Sequence, residues 1–345
     1  RQGLATTNND LFLRFWHEVS IKKVGFGFKD SKEALESGIK WFPLNKGGEF
    51  RRWYGNNFYT INYENNGKTI CDYIDNTPGV KVKSNGRVIN RDLYFHEGMT
   101  WSTISNLFSM RYVPNGFIFE TKGSMCFTEM KHLYYILGLY NSKVMQEFLR
   151  IVSPTLDYHE GPLGRTPVII DDTRISEIDS LVKTNVDLSR TDWDSFETSW
   201  DFKEHPFVKW SKELWDATAI GATMQHYYGD HPKASCPLEL CYLLWQGECN
   251  DRRAKLKANE EELNRIFIEI YGLQDELTPE VDDKDITVRA ADLQRDMRSF
   301  VSYAVGCMFG RYSLDTEGLA YAGGEWDTGK YISFAADKDN IIPIC

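Results

Sequence analysis

The chain has 345 residues, 42% of them hydrophobic and 26% charged, with a formal net charge of −10. That is the composition of an ordinary soluble globular protein long enough for two cores. No apolar run approaches the roughly 20 residues needed to cross a bilayer, and no membrane partner is expected.

The charge is unevenly laid out. Residues 1–170 carry 21 Lys+Arg against 16 Asp+Glu, and residues 171–345 carry 19 against 34. A basic half joined to an acidic half points to a polyanion, most often nucleic acid, meeting one half only. Seven cysteines, odd in number and irregular in spacing, point to reduced thiols and a cytoplasmic location. The start, Arg1-Gln2-Gly3-Leu4, shows no initiator Met and no leader pattern, and the chain stops in the apolar run Ile341-Ile342-Pro343-Ile344-Cys345. Both ends are those expected of a piece of a larger protein.

In chain order, Val80-Lys81-Val82-Lys83 alternates, Asn85-Gly86 offers a tight turn, and Arg87-Val88-Ile89 resumes, which predicts a β-hairpin. After the Asn115-Gly116 turn, Phe117-Ile118-Phe119 predicts a buried strand. Leu133, Ile136, Leu137, Tyr140, Val144 and Phe148 recur at helical spacing, which predicts one helix over 131–151, ended by Pro154. The breaker cluster Gly161-Pro162-Leu163-Gly164-Arg165-Thr166-Pro167 marks a boundary near 165–175. Beyond it, residues 255–271 predict a helix with Leu256, Leu263, Ile266, Phe267 and Ile270 on one face. Glu260, Glu261 and Glu262 are expected to face outward, and Gly272 to end the helix. Residues 286–309 predict another helix, and Trp193, Phe196 and Trp200 read as core. The expected class is α+β: a mixed α/β domain over 1–170, then an acidic, mainly helical domain over 171–345.

Several stretches could carry chemistry. Lys46-Gly47-Gly48-Glu49-Phe50-Arg51-Arg52-Trp53-Tyr54 interleaves a glycine pair, guanidiniums and aromatic rings, as contacts to a sugar-phosphate backbone require. Lys81 and Lys83 add to the same half. Thr100-Trp101-Ser102 and Arg111-Tyr112 offer small hydroxyls and an Arg for base edges or phosphates, although a buried Trp with capping hydroxyls explains them as well. Asp92 with Glu120-Thr121-Lys122 resembles a short metal-dependent nuclease pattern, for which a surface ion pair is the plainer reading. His226, His231, Cys236, Cys241 and Cys249 lack the spacing of structural zinc and read as buried thiols, so no metal is expected. Val24-Gly25-Phe26-Gly27-Phe28 lacks the third glycine of a nucleotide loop. No Pro-Pro pair occurs, so the Asn-Pro-Pro-Tyr motif of nucleic-acid amino-methyltransferases is missing.

Six segments in the same order resemble one family, the adenine-specific DNA methyltransferases (PglX) of type 1 BREX phage-defence systems. They are Gly3-Leu4-Ala5-Thr6-Thr7-Asn8-Asn9-Asp10 with Phe12–Trp16; Trp41–Gly48 with Arg51–Asn56; Gly98-Met99-Thr100-Trp101-Ser102; Arg111–Phe119; Asp192–Phe202; and Gly310-Arg311-Tyr312-Ser313-Leu314-Asp315. The helix carrying Leu139-Tyr140-Asn141-Ser142-Lys143, with the breaker cluster after it, also resembles the recognition domains of type I restriction specificity subunits.

The resemblance implies that the chain begins where the catalytic domain ends. Residues 1–170 would be a DNA target-recognition domain, and the whole protein would methylate adenine N6 from S-adenosylmethionine. The piece itself is expected to hold no cofactor and no catalytic residue. The expected backbone contacts are Lys46, Arg51, Arg52, Lys81 and Lys83; the expected base or near-base contacts are Ser102, Arg111 and Lys122. Double-stranded DNA is the expected partner. The acidic half would clamp the recognition domain or dock other BREX proteins or phage inhibitor proteins. The alternatives are a protein-interaction module that binds an acidic phage DNA mimic, and a nuclease using Asp92, Glu120 and Lys122.

Overall fold

Short apolar runs with aromatic residues build two small sheets near the start of the chain. In the computed structural model, which describes residues 1–214, 237–323 and 325–337, the first sheet has the order β1-β3-β2-β6. Its strands are β1 (Leu13–Phe15), β2 (Trp41–Asn45), β3 (Tyr59–Asn62) and β6 (Ile118–Phe119). β2 runs antiparallel to β3, with Phe42 opposite Ile61, and parallel to β6, with Leu44 opposite Ile118. The second sheet has the order β5-β4-β7. It consists of β4 (Gly98–Trp101), β5 (Met110–Val113) and β7 (Met125–Cys126), and Thr100 faces Arg111 across it. Phe42, Tyr94, Phe95 and Phe119 are buried and pack edge to face at 5.3 Å (Phe42 on Phe95, Tyr94 on Phe119), a geometry favoured by the ring quadrupole. The class is α+β, as the residue pattern implies.

The expected strand at 117–119 is present as β6. The expected hairpin at 80–89 is not. Residues 84–86 form a short 3-10 turn, because Asp75, near the end of helix Glu64–Asn76, accepts from the Ser84 amide at 2.8 Å and from the Ser84 hydroxyl at 2.7 Å. That capture holds the segment against a helix and denies it a ladder partner.

The helix expected over 131–151 is two, Leu133–Asn141 and Lys143–Val152, parted by extended Ser142. Asn141 explains the break. Its amide accepts from Met110 N and donates to Met110 O, both at 2.9 Å, so it completes the edge of β5 in place of another strand.

Two compact units interleave along the chain. The first comprises Arg1–Arg190 and Lys257–Thr287, the second Thr191–Leu256 and Val288–Cys345. Residues 171–190 and 257–287 therefore pack with the residues that precede position 170. Gly138 is one reason: a β-carbon there would lie 2.8 Å from the Val182 side chain, so only glycine lets helix Leu133–Asn141 lie flush against helix Ile175–Asp194. Tyr135 packs edge-on to Phe267 at 5.4 Å, and Asn259 donates to Asn185 at 2.8 Å inside the core. By this division the first unit holds 27 Lys+Arg and 31 Asp+Glu, and the second 13 and 19. The linear charge asymmetry is thus largely levelled once the chain folds.

Helix Pro237–Tyr271 is longer than its apolar stripe suggested. Its end is as expected: Gly272 has φ +65°, Leu273 N donates to Ile268 O at 2.9 Å and Gly272 N to Glu269 O at 3.0 Å, a Schellman ending. The expectation that Glu260 faces outward is corrected, since Glu260 is buried.

In the second unit, Phe196, Phe207, Trp210, Cys241, Leu244, Trp245 and Cys249 form one apolar cluster, and Phe202, Tyr303, Cys307 and Tyr312 another. Helix Leu293–Met308 is capped by Asp292, which accepts from Arg295 N at 2.6 Å. Cys241 and Cys249 are core thiols; His226, His231 and Cys236 lie outside the described residues.

Candidate nucleic-acid interface

Three turns of the first unit meet at one place, each at the end of a strand. β2 leads into Lys46-Gly47-Gly48, β4 into Ser102-Thr103, and β6 into Glu120-Thr121-Lys122-Gly123. Glu120 N donates to Asn45 O at 3.0 Å and Thr103 N to Lys122 O at 3.3 Å, which ties the turns together. Gly47 sits at φ +81°, and a β-carbon there would stand 2.5 Å from the Lys122 carbonyl and 3.6 Å from Ser102 Cα. A side chain at position 47 would therefore part the turns.

β5 brings Arg111 beneath them. Its side chain is 1% exposed; Nη1 donates to Arg51 O at 3.3 Å and Nη2 to Ser102 Oγ at 3.4 Å, and Nε has no partner. Among the described residues it meets no carboxylate. Burial, and then the neighbouring Arg51, push its basicity down to about 9, so it remains a cation at neutral pH. A buried cation without a counter-ion is costly.

Lys46 is half-buried, with its ammonium 4.9 Å from the centre of the Tyr59 ring. Lys122 is exposed. Glu120 shares their corner and is only 7% exposed. Burial pushes its carboxyl up to about 7, while Lys46 and Lys122 act in the opposite sense.

The remaining expected contacts lie elsewhere. Arg52 is buried; its Nη1 sits 2.7 Å from Glu260 Oε2, and Trp53 Nε1 donates to Glu260 Oε1 at 2.6 Å. Trp53 has φ +71°, a left-handed backbone that these bonds and the pairing of Trp53 N with Met110 O at 3.0 Å hold in place. Arg51 is buried beside it. Lys81 and Lys83 are exposed on the segment pinned by Asp75, where Lys83 Nζ donates to the Asp75 carbonyl at 2.8 Å. The structure thus brings Lys46, Ser102, Arg111 and Lys122 together, turns Arg51 and Arg52 inward, and sets Lys81 and Lys83 on a separate surface.

The nuclease arrangement does not assemble. Asp92 lines a cavity of about 330 Å³ with Asp30, Ser31, Tyr63, Asn66 and Arg91, and the charged groups acting on Glu120 are Lys46 and Lys122. Among the described residues no three His, Cys, Asp or Glu gather as metal ligands. In Val24–Phe28, Gly25 serves packing, since a β-carbon there would come within 2.5 Å of the Phe28 ring and 2.9 Å of Phe42, whereas Gly27 has φ +73° and open space where a β-carbon would stand. No helix among the described residues is long and apolar enough to cross a membrane.

Sequence reasoning missed Glu120 as a member of the basic corner and Glu260 as the buried partner of Arg52. Glu120 and Lys122 stand two residues apart in the turn after β6, and the burial of one and exposure of the other is not set by that spacing.

No family model matches the chain. It is similar to the adenine-specific methyltransferase PglX of Lacticaseibacillus casei (strain Zhang), with 42% identity over 344 residues, which is 99% of this chain and 26% of that protein. It is similar also to the adenine-specific methyltransferase BrxX of Escherichia coli O9:H4 (strain HS), with 34% identity over 373 residues, 99% of this chain and 27% of that protein. The chain spans about a quarter of the length of the curated relatives it matches.

Proposed function

We propose that this chain, alike over nearly its whole length to one portion of adenine-specific methyltransferases, is the portion that recognises the DNA target. The observation that carries the reading is the convergence of Lys46, Ser102, Arg111 and Lys122 from four separate segments, with neither lysine in an ion pair to a described residue. Ammonium groups left unpaired beside tight glycine turns suit the approach of a phosphate backbone. Lys46 and Lys122 would hold phosphates or base edges at the mouth of the corner, and Arg111 would orient Ser102 beneath them. Arg51 and Arg52, which the sequence offered as phosphate contacts, would build the floor. Lys81 and Lys83 would add backbone contacts only where the duplex extends to their separate surface.

In this reading the domain selects a duplex site and presents an adenine, flipped from the stack, to a catalytic part elsewhere in the protein. That part would transfer methyl from S-adenosylmethionine to N6, in a phage-defence system of the BREX kind. The second unit would meet other defence proteins.

The test is selection from a random duplex pool at low salt, followed by sequencing of what the chain retains. An enriched motif containing adenine supports the reading. No retention at any salt concentration counts against it and moves an acidic protein, such as a phage DNA mimic, to first place as the partner of the basic corner.

A further inference from the structure

Glu120 is an acidic side chain within the basic corner. It is 7% exposed, and no described residue donates a hydrogen bond to its carboxylate or pairs with it. Lys46, at the end of β2, and Lys122, two residues along its own turn, are the charged groups that act on it, yet neither closes to ion-pair distance. Its oxygens are not among the buried atoms that lack a partner, so the carboxylate end of this otherwise buried side chain keeps access to solvent. Lys46 lies over the Tyr59 ring and Lys122 stays in solvent.

We infer that Glu120 reads a base, accepting a hydrogen bond from the N4 amino group of a cytosine in the major groove while Lys46 and Lys122 flank it. The inference rests on the target-recognition reading above. The chemistry selects cytosine. Above the pH of about 7 to which burial pushes it, the carboxylate is ionised and offers only acceptors; cytosine presents only a donor at this edge, whereas adenine sets its N7 acceptor beside the N6 donor and would repel the second carboxylate oxygen. Phosphate is the wrong ligand for Glu120 itself, because like charges would meet in a poorly solvated place. Lysines beside the carboxylate solve that problem for the duplex, since they neutralise the phosphates that must pass close to it.

The experiment compares the full chain with its Glu120→Gln and Glu120→Ala variants in the random-duplex selection. Circular dichroism and the thermal midpoint verify that each variant folds. Gln keeps the shape of Glu and pairs bidentately with adenine N6 and N7. The expected result is one motif position that changes alone: cytosine in the parent, adenine in Glu120→Gln, and no preference in Glu120→Ala, with discrimination there reduced roughly tenfold or more. A role confined to structure would move the thermal midpoint without exchanging one base for another. The same motif in all three proteins overturns the inference and leaves the recognition reading standing. So does a changed position that prefers any base other than cytosine in the parent. A parent that retains DNA without any motif, or retains none, overturns both.

Discussion

Replacing Arg52 with alanine separates a buried structural pair from a DNA contact. Both oxygens of Glu260 are engaged, one by Arg52 Nη1 at 2.7 Å and one by Trp53 Nε1 at 2.6 Å. The facing side chains of the ion pair are 9% and 4% exposed. Burial still raises the Glu260 carboxyl above its ordinary range, in spite of Arg52 and Trp53, so the carboxylate depends on its partners to stay ionised. Removing Arg52 leaves it with an indole N–H alone, at a cost of about 3–5 kcal/mol. Glu260→Ala strands both the guanidinium and the indole and should cost at least as much. For a domain of ordinary stability, about 5–15 kcal/mol, either loss is a large fraction of the total. The double variant Arg52→Met/Glu260→Leu should be far less damaged than the sum of the single changes, since no lone charge is left. Urea denaturation followed by tryptophan fluorescence measures each. In parallel, the salt dependence of duplex binding should be unchanged in Arg52→Ala under conditions where it is folded. A variant with the parent's urea midpoint and a log–log salt slope smaller by about one would refute the reasoning and return Arg52 to the phosphate.

Lys46→Ala and Lys122→Ala should each lower that salt slope by about one in binding titrations against duplex DNA, with little change in stability; an unchanged slope removes the residue from the contact surface. Arg111→Met should fold with an equal or higher thermal midpoint, because it deletes a buried cation held only by long hydrogen bonds to neutral groups; a drop of more than a few degrees would mean that the cation is compensated. Glu120, raised from 4.5 to about 7 by burial, keeps its proton in the folded state over a range where the unfolded chain has lost it. Stability should therefore fall as pH rises from 4.5 to 7, by roughly 3 kcal/mol at about 1.4 kcal/mol for each pKa unit. Glu120→Gln should abolish that slope in denaturation curves taken across the range. His205 has the opposite sign: burial lowers it from 6.5 to about 4, and its Nδ1 accepts from Phe207 N at 3.2 Å. The unfolded chain takes up the proton first as pH falls below 6.5, so stability is lost toward pH 4, and His205→Asn should flatten that limb.

Much of the local structure was legible because its causes are local. The strand Ile118–Phe119 follows a turn that Asn115-Gly116 specifies by itself, and the helix end at Gly272 needs only a residue that accepts positive φ. The break at Ser142 was not legible, since helical periodicity runs straight through it. It appears because the Asn141 side chain finds the backbone of Met110, 31 residues away. The hairpin at 80–89 failed for a related reason, as Asp75 outcompetes a strand ladder for Ser84.

The basic corner was half legible. Lys46, Ser102, Arg111 and Lys122 stood out as residue types, but their meeting depends on Gly47, which admits the Lys122 carbonyl at a distance no side chain allows. Arg51 and Arg52 read as phosphate contacts beside a glycine pair, and the fold buries both.

By itself the amino-acid sequence determined the α+β character, the helix end at Gly272, the order of the recognisable segments and the supply of cations in residues 1–170. Those follow from propensity, periodicity and composition, which act over a few residues. Tertiary structure alone decided which charges remain free to act. It folded the acidic stretch 257–287 into the same unit as the basic residues, closed Glu260 on Arg52, and left Glu120 unpaired between two lysines. Coulomb and desolvation energies depend on distance and burial, and neither is a property of position along the chain.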